Sequence, residues 1–149
     1  MKIKLLWLGK TKETFIEQGI KHYIKLIKPI ININIEEIKE IRGKSIEETL
    51  LYEGKKVLEK TKDYFLLDQS GKEYSSEDFA IFISNSLKDE RLLTFLFGGP
   101  FGVSREIKEK AKSIISLSRM TFTHEVSRLL FLEQLYRAFT IIKGKVYHY

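Results

Sequence analysis

"LLTFLFGGPFGVSREI", residues Leu92 to Ile107, passes from an apolar run through clustered glycines into a charged segment. Leu92–Phe97 shows no alternation of apolar and polar residues, so both faces of a strand there are suited to burial. Strands of that kind belong to parallel sheets covered on two sides. Ser104 suits the N-cap of a helix beginning "REIKEKAKSII", where its hydroxyl can accept a hydrogen bond from an open amide of the first turn. The glycines between them fit either a tight turn stiffened by Pro100 or a place where a ligand approaches the backbone. The local pattern leaves both open.

The same alternation extends outward from this stretch. "IKLLWLG" (Ile3–Gly9) reads as a second buried strand ended by glycine. Apolar residues at helical spacing from Thr11 to Ile27 predict a helix that Pro29 terminates. In "IININIEEI", Ile31, Ile33 and Ile35 share one face and Asn32, Asn34 and Glu36 the other, which predicts a strand near a sheet edge. Ser45 and Glu48 form a capping box for a helix to about Lys60. Tyr64–Leu67 predicts a strand breaking into a polar turn at Asp68–Lys72, and Ser75 or Ser76 caps a helix to about Leu87. Ile115–Ser118 is a short strand, and His124–Ile142 a long final helix. Strands alternating with helices define one α/β domain over residues 1–149, a mainly parallel sheet with helices on both faces. Ligands of such sheets bind beyond the carboxyl ends of the strands, so the loops after Leu67, Phe97 and Ser118 form one candidate site.

The bulk properties narrow the class. A net charge of +6 and a pI near 9.4 favour a polyanionic partner, RNA or DNA first, although a solvated lysine surface gives the same numbers. No apolar run approaches the ~20 residues that span a bilayer. "MKIKLLWLGK" has too short an apolar centre for a signal peptide. The absence of cysteine excludes disulfides, thiolate metal sites and a thiol nucleophile, and fits a cytoplasmic location. "GKS" at 43–45 lacks the upstream glycine of a phosphate loop, because position 38 is Ile. The first strand-to-helix turn offers only Gly9, so no dinucleotide fingerprint is present. His22, His124 and His148 have no metal-ligand spacing and no metal is expected; "GxSxG" is also missing.

The final helix is apolar almost all round. Phe131, Leu132, Leu135, Phe139 and Ile142 share one face with Arg128 among them, and Arg137 projects from the opposite side near Glu133 and Thr140. Such a helix is buried in a core or against a partner, and in a small domain self-association is the economical expectation. Arg128 on that face is costly without an anion, a carboxylate or carbonyl groups to meet it. It serves either as an electrostatic clamp near the glycine loop or as a structural pair with Glu125 or Glu133.

"LLDQSGK", "FLFGGPFGVS", "SLSRMTFTHEVSRLLFLEQLYRAF" and the closing "YH", in that order and spacing, resemble the bacterial ribosomal RNA large subunit methyltransferase H family, small SPOUT-class enzymes dependent on S-adenosyl-L-methionine. The likeness begins at "KIKLLWLGK" and covers the whole chain. It implies a deep trefoil knot in the carboxyl-terminal part of the fold, a homodimer with the site near the subunit boundary, and methylation of N3 of a pseudouridine in 23S ribosomal RNA. Residue by residue, Leu67, Gly98, Leu117, Ser118, Arg119, Met120, Thr121 and Phe122 match the family's cofactor-binding positions, with Gly99 and Gly102 letting the loop curl against the cofactor. N3 carries a hydrogen, so the reaction needs a base, and negative charge develops on the flanking carbonyl oxygens. His148 is the first candidate base and Tyr147 the second; Arg137 or Arg128 is placed to stabilise the anion. The chain ends in Tyr149 where the family usually carries a basic residue, and Lys143 and Lys145 are candidates to replace that charge. The alternatives are a SPOUT enzyme for another RNA position and a non-catalytic ribosome-binding module.

Overall fold

The computed structural model describes residues 1–144. Among them run β1 (Lys2–Leu8), α1 (Thr14–Ile27), β2 (Asn32–Ile38), α2 (Ile46–Lys60), β3 (Phe65–Glu73), α3 (Ser76–Asp89), β4 (Leu92–Phe97), α4 (Arg105–Lys110), β5 (Ser113–Ser116) and α5 (His124–Ile142). All strand pairings are parallel and the order is β2-β1-β4-β3-β5.

Both faces of this sheet are covered, as the unalternating strands require. Ile3, Leu5 and Trp7 of β1 pack with residues of α1, α3 and α5, whereas Leu6 and Leu8 meet Val57 of α2 and Ile107 of α4. Phe131 of α5 sits at the centre of the first layer, its ring 4.8 Å from Phe95, 5.1 Å from Phe97 and 5.9 Å from Phe79. β2 lies at the edge, with Ile33 buried and Asn32 and Asn34 exposed. Ser45, Ser75, Ser104 and Thr123 each accept an amide hydrogen bond at a helix start. No helix among the described residues is long and apolar enough to cross a membrane.

Three expectations needed correction. The predicted turn at Asp68–Lys72 is an irregular continuation of β3: the register with β5 shifts between Leu67 and Lys72, after which Lys72 and Glu73 pair with Ile115 and Ser116. Gly71 permits this, since a Cβ there would lie 2.5 Å from the Ile114 backbone. Helix α4 stops at Lys110, short of its apolar continuation, because Lys112 donates its amide to the Tyr64 carbonyl at 2.9 Å and Ile114 and Ile115 enter β5. Finally, the apolar girth of α5 is largely satisfied within the chain. The helix packs against α1 and α3 as well as the sheet; Leu129 lies against Gly19, and the Tyr23 and Tyr136 rings are 6.4 Å apart. Self-association therefore does not follow from its apolarity, and Ile142, expected on the buried face, is 43% exposed.

Candidate active site

The carboxyl ends of β3, β4 and β5 open on a cavity of about 300 Å³. That is the small end of the range for small-molecule sites, ~300–1,000 Å³. Leu67, Gly98, Gly99 and Gly102 line it from the first two loops; Leu117, Ser118, Met120, Thr121 and Phe122 line it from the third. The structure thus brings together three segments that lie far apart in sequence. Arg119 joins them only through its carbonyl, which accepts from Gln69 Nε2 at 2.7 Å; its side chain is exposed and does not line the cavity.

Each wall has a local cause. Phe97 ends β4 buried, and the chain turns back at once: Gly102 donates its amide to the Gly99 carbonyl at 3.0 Å and adopts a φ of +77°. A Cβ on Gly98 would stand 2.9 Å from the Gly102 backbone. The loop's glycines therefore serve its closure first, and the closed loop forms one wall of the cavity. On the far side, Ser116 Oγ donates to the Ser118 carbonyl at 2.8 Å and the Met120 amide donates to Ser118 Oγ at 3.0 Å, which fixes the segment as hydroxyl-supported turns. Thr121 Oγ1 donates to Gln69 Oε1 at 3.2 Å, tying this segment to β3. Gln69, Asp68 and Ser127 line the cavity and were not singled out in the sequence. Gln69 lay in the segment read as a turn, so nothing local revealed its cross-chain role.

The start of α5 closes the remaining side. His124 and Ser127 face the cavity. Burial, reinforced by the Arg128 guanidinium, holds the His124 imidazole below its ordinary range. Asp68 is held below the usual carboxylate range: burial alone would raise it, but hydrogen bonds from Ser70 and the charge of Lys108 outweigh that. Glu53 of α2, only 5% exposed, lies behind the loop, its Oε2 4.0 Å from where a Gly99 Cβ would be. Burial, then the charge of Glu40, pushes its carboxyl upward.

Both arginines expected near the chemistry stand elsewhere in this chain. Arg128 is fully buried and does not line the cavity; it donates to the Leu8 carbonyl at 2.8 Å and to Thr11 Oγ1 at 3.0 Å, with its guanidinium 4.8 Å from the Trp7 ring centre. Burial lowers its pKa to about 10, which leaves it charged at neutral pH. It is a clamp on the end of β1: of the partners the sequence left open, a carbonyl meets it, together with a hydroxyl, and no ion pair with Glu125 or Glu133 forms. Arg137 pairs with Glu133 and does not line the cavity. At ~1.5 Å per helical residue it lies about 20 Å along α5 from His124. Tyr147, His148, Tyr149 and Lys145 lie outside the described residues.

The late loops of this all-parallel α/β sheet enclose a small cavity at its carboxyl edge, and the family model described as "Predicted SPOUT methyltransferase" matches residues 1–148 of the chain. A protein named "Ribosomal RNA large subunit methyltransferase H" from Thermodesulfovibrio yellowstonii is 48% identical over 149 residues, covering 99% of each chain. Proteins of the same name from Geotalea daltonii and Halothermothrix orenii are each 40% identical, over 153 and 158 residues, with 100% and 99% of each chain covered. The chain belongs to this family of SPOUT methyltransferases.

Proposed function

We propose that the protein methylates N3 of a pseudouridine in 23S ribosomal RNA, using S-adenosyl-L-methionine and acting on assembled ribosomes in the cytoplasm. The observation that carries this reading is the convergence of three matched cofactor segments on one cavity in a chain nearly half identical to a named ribosomal RNA methyltransferase. The cavity suits the cofactor. Its walls mix apolar side chains (Leu67, Ile115, Leu117) with hydroxyls and main-chain groups, and the glycine loop leaves its rim free of side chains at three positions. When bound, S-adenosyl-L-methionine supplies an electrophilic methyl carbon on a sulfonium.

The protein's own contributions are positional and acid–base. The Gly98–Gly102 turn and the Leu117–Phe122 segment, which line the cavity, would hold and orient the donor. His148, or Tyr147 in its place, would accept the N3 proton; the electron pair freed by that transfer would form the new N–C bond as the methyl carbon–sulfur bond breaks, its pair leaving on sulfur as the neutral thioether of S-adenosyl-L-homocysteine. Charge on the flanking carbonyl oxygens calls for a cation. Arg137 is too far along α5 to serve its own cavity, so its assignment rests on a homodimer in which a second copy brings it near. Arg128 is assigned no direct contact. We extend the same reading to a carboxyl-terminal trefoil knot, supported by membership of the SPOUT methyltransferase family.

Calorimetry with S-adenosyl-L-methionine, followed by mass-spectrometric mapping of methyl groups on ribosomes lacking the modification, tests the proposal. One new methyl on a large-subunit pseudouridine is expected. Cofactor binding without transfer would leave a binding module, and no binding would remove every methyltransferase reading.

A further inference from the structure

Beside the cavity, along the same edge of the sheet, lies a second and larger hollow of about 840 Å³ over the ends of β1 and β2. Lys10 and Lys12 enter it from the loop after β1, and Lys39 and Arg42 from the segment after β2. Lys10, Lys39 and Arg42 are exposed and make no ion pair among the described residues. Lys12 is matched by Glu40 at 3.5 Å, and Glu37 is the other carboxylate of the lining. Ile41 and Tyr52 supply apolar wall; the Lys56 ammonium, paired with Glu59 at 3.6 Å, sits 5.5 Å from the centre of the Tyr52 ring. A trough in which cations outnumber carboxylates, interleaved with an aromatic ring, is what a nucleic-acid backbone with exposed bases requires.

Its place relative to the cavity is fixed by one element. The first turn of α5 presents His124 and Ser127 to the cavity, while Glu125 and Arg128 turn toward the loop that carries Lys10 and Lys12. The amides of Lys12 and Glu13 donate to Glu125 Oε1 at 3.0 and 2.9 Å, and Arg128 holds Leu8 and Thr11. Strands stand ~4.8 Å apart, so the hollow over β1 and β2 begins one strand from the cavity over β4 and β3. Gly99 of the cavity wall faces Leu8, directly before Gly9 of the trough.

We propose that this trough holds the phosphate backbone of the RNA next to the target nucleotide, with Lys10, Lys39 and Arg42 as phosphate contacts and Tyr52 as a stacking surface. The inference rests on the RNA-methyltransferase reading, from which it takes the location of the reacting base.

The test is the triple variant Lys10→Ala/Lys39→Ala/Arg42→Ala against a control triple, Lys28→Ala/Lys62→Ala/Lys88→Ala, which removes the same charge from exposed residues at the opposite sheet edge. Binding to assembled ribosomes and to a protein-free fragment of large-subunit ribosomal RNA is measured as a function of salt, beside calorimetry with S-adenosyl-L-methionine. Each lost phosphate contact lowers the salt slope by about 0.7–0.9, so the trough triple should lose about 2–3 from the slope and bind about tenfold weaker or worse at 0.1 M salt. The control should change by much less, and neither should alter cofactor binding. Equal RNA binding and slope in the two triples overturns the proposal. So does a loss seen with whole ribosomes and absent on a protein-free RNA that the wild type binds, which would assign the trough to a ribosomal protein. If the wild-type protein methylates ribosomes and the trough triple shows an unchanged KM, this inference fails alone; if the wild type binds neither RNA nor cofactor, the underlying reading fails with it.

Discussion

Replacing Arg128 by alanine separates a structural clamp from a catalytic cation. The substitution removes donors from the Leu8 carbonyl and Thr11 hydroxyl, both at the junction of β1 and the loop after it. Leaving a buried carbonyl without its donor costs about 1–3 kcal/mol. Loss of the guanidinium from the Trp7 face adds about 1 kcal/mol, and the emptied volume about 2 kcal/mol. Against this, a charge with an unpartnered Nε no longer has to be buried, which returns about 1–2 kcal/mol. The net destabilisation is about 3 kcal/mol. For a domain of this size each kcal/mol lowers Tm by roughly 2–4 °C, so a fall of about 10 °C is expected. Arg128→Met, which keeps most of the packing, should lose about half as much. Thermal unfolding by circular dichroism gives Tm, and single-turnover methyl transfer well below that Tm gives the rate per folded molecule. A variant with wild-type Tm and abolished transfer would refute the clamp and return Arg128 to the chemistry.

Gly98→Ala places a methyl 2.9 Å from the Gly102 backbone and must open the loop. Overpacking of that kind costs about 1–3 kcal/mol, which, expressed in the closed form of the wall, weakens S-adenosyl-L-methionine binding by about 5- to 150-fold in calorimetry; unchanged affinity would show that the loop's closure is irrelevant to the cofactor. Glu53 has a folded-state pKa raised by burial and by Glu40, so the folded state binds the proton more tightly than the unfolded chain and stability falls as pH rises above the ordinary carboxylate range. Glu53→Gln should therefore raise Tm at pH 7 and give little gain near pH 4, and a gain independent of pH would remove titration of Glu53 as the cause.

Much of this protein was legible in sequence because the deciding signals are local. Unalternating runs at Ile3–Gly9 and Leu92–Phe97 require burial on both faces, the alternation of Ile33 with Asn32 and Asn34 marks an edge, and serines three residues ahead of open amides start helices. From those elements, the rule that ligands sit beyond carboxyl strand ends placed the three loops of the site together. What local pattern could not supply is who meets whom across the fold. Gln69 looked like part of a turn, yet a register shift in β3 carries it to Thr121 and the Arg119 carbonyl. Arg128 could be recognised as costly, but its partner is a carbonyl at the end of another strand, 120 residues away in sequence. The girth of α5 implied burial without saying by what, and only packing between α1 and α3 answers that. Periodicity and capping act within a few residues and are written in the chain; hydrogen-bond partners and the sharing of apolar surface depend on distances that exist only after the sheet has closed its order.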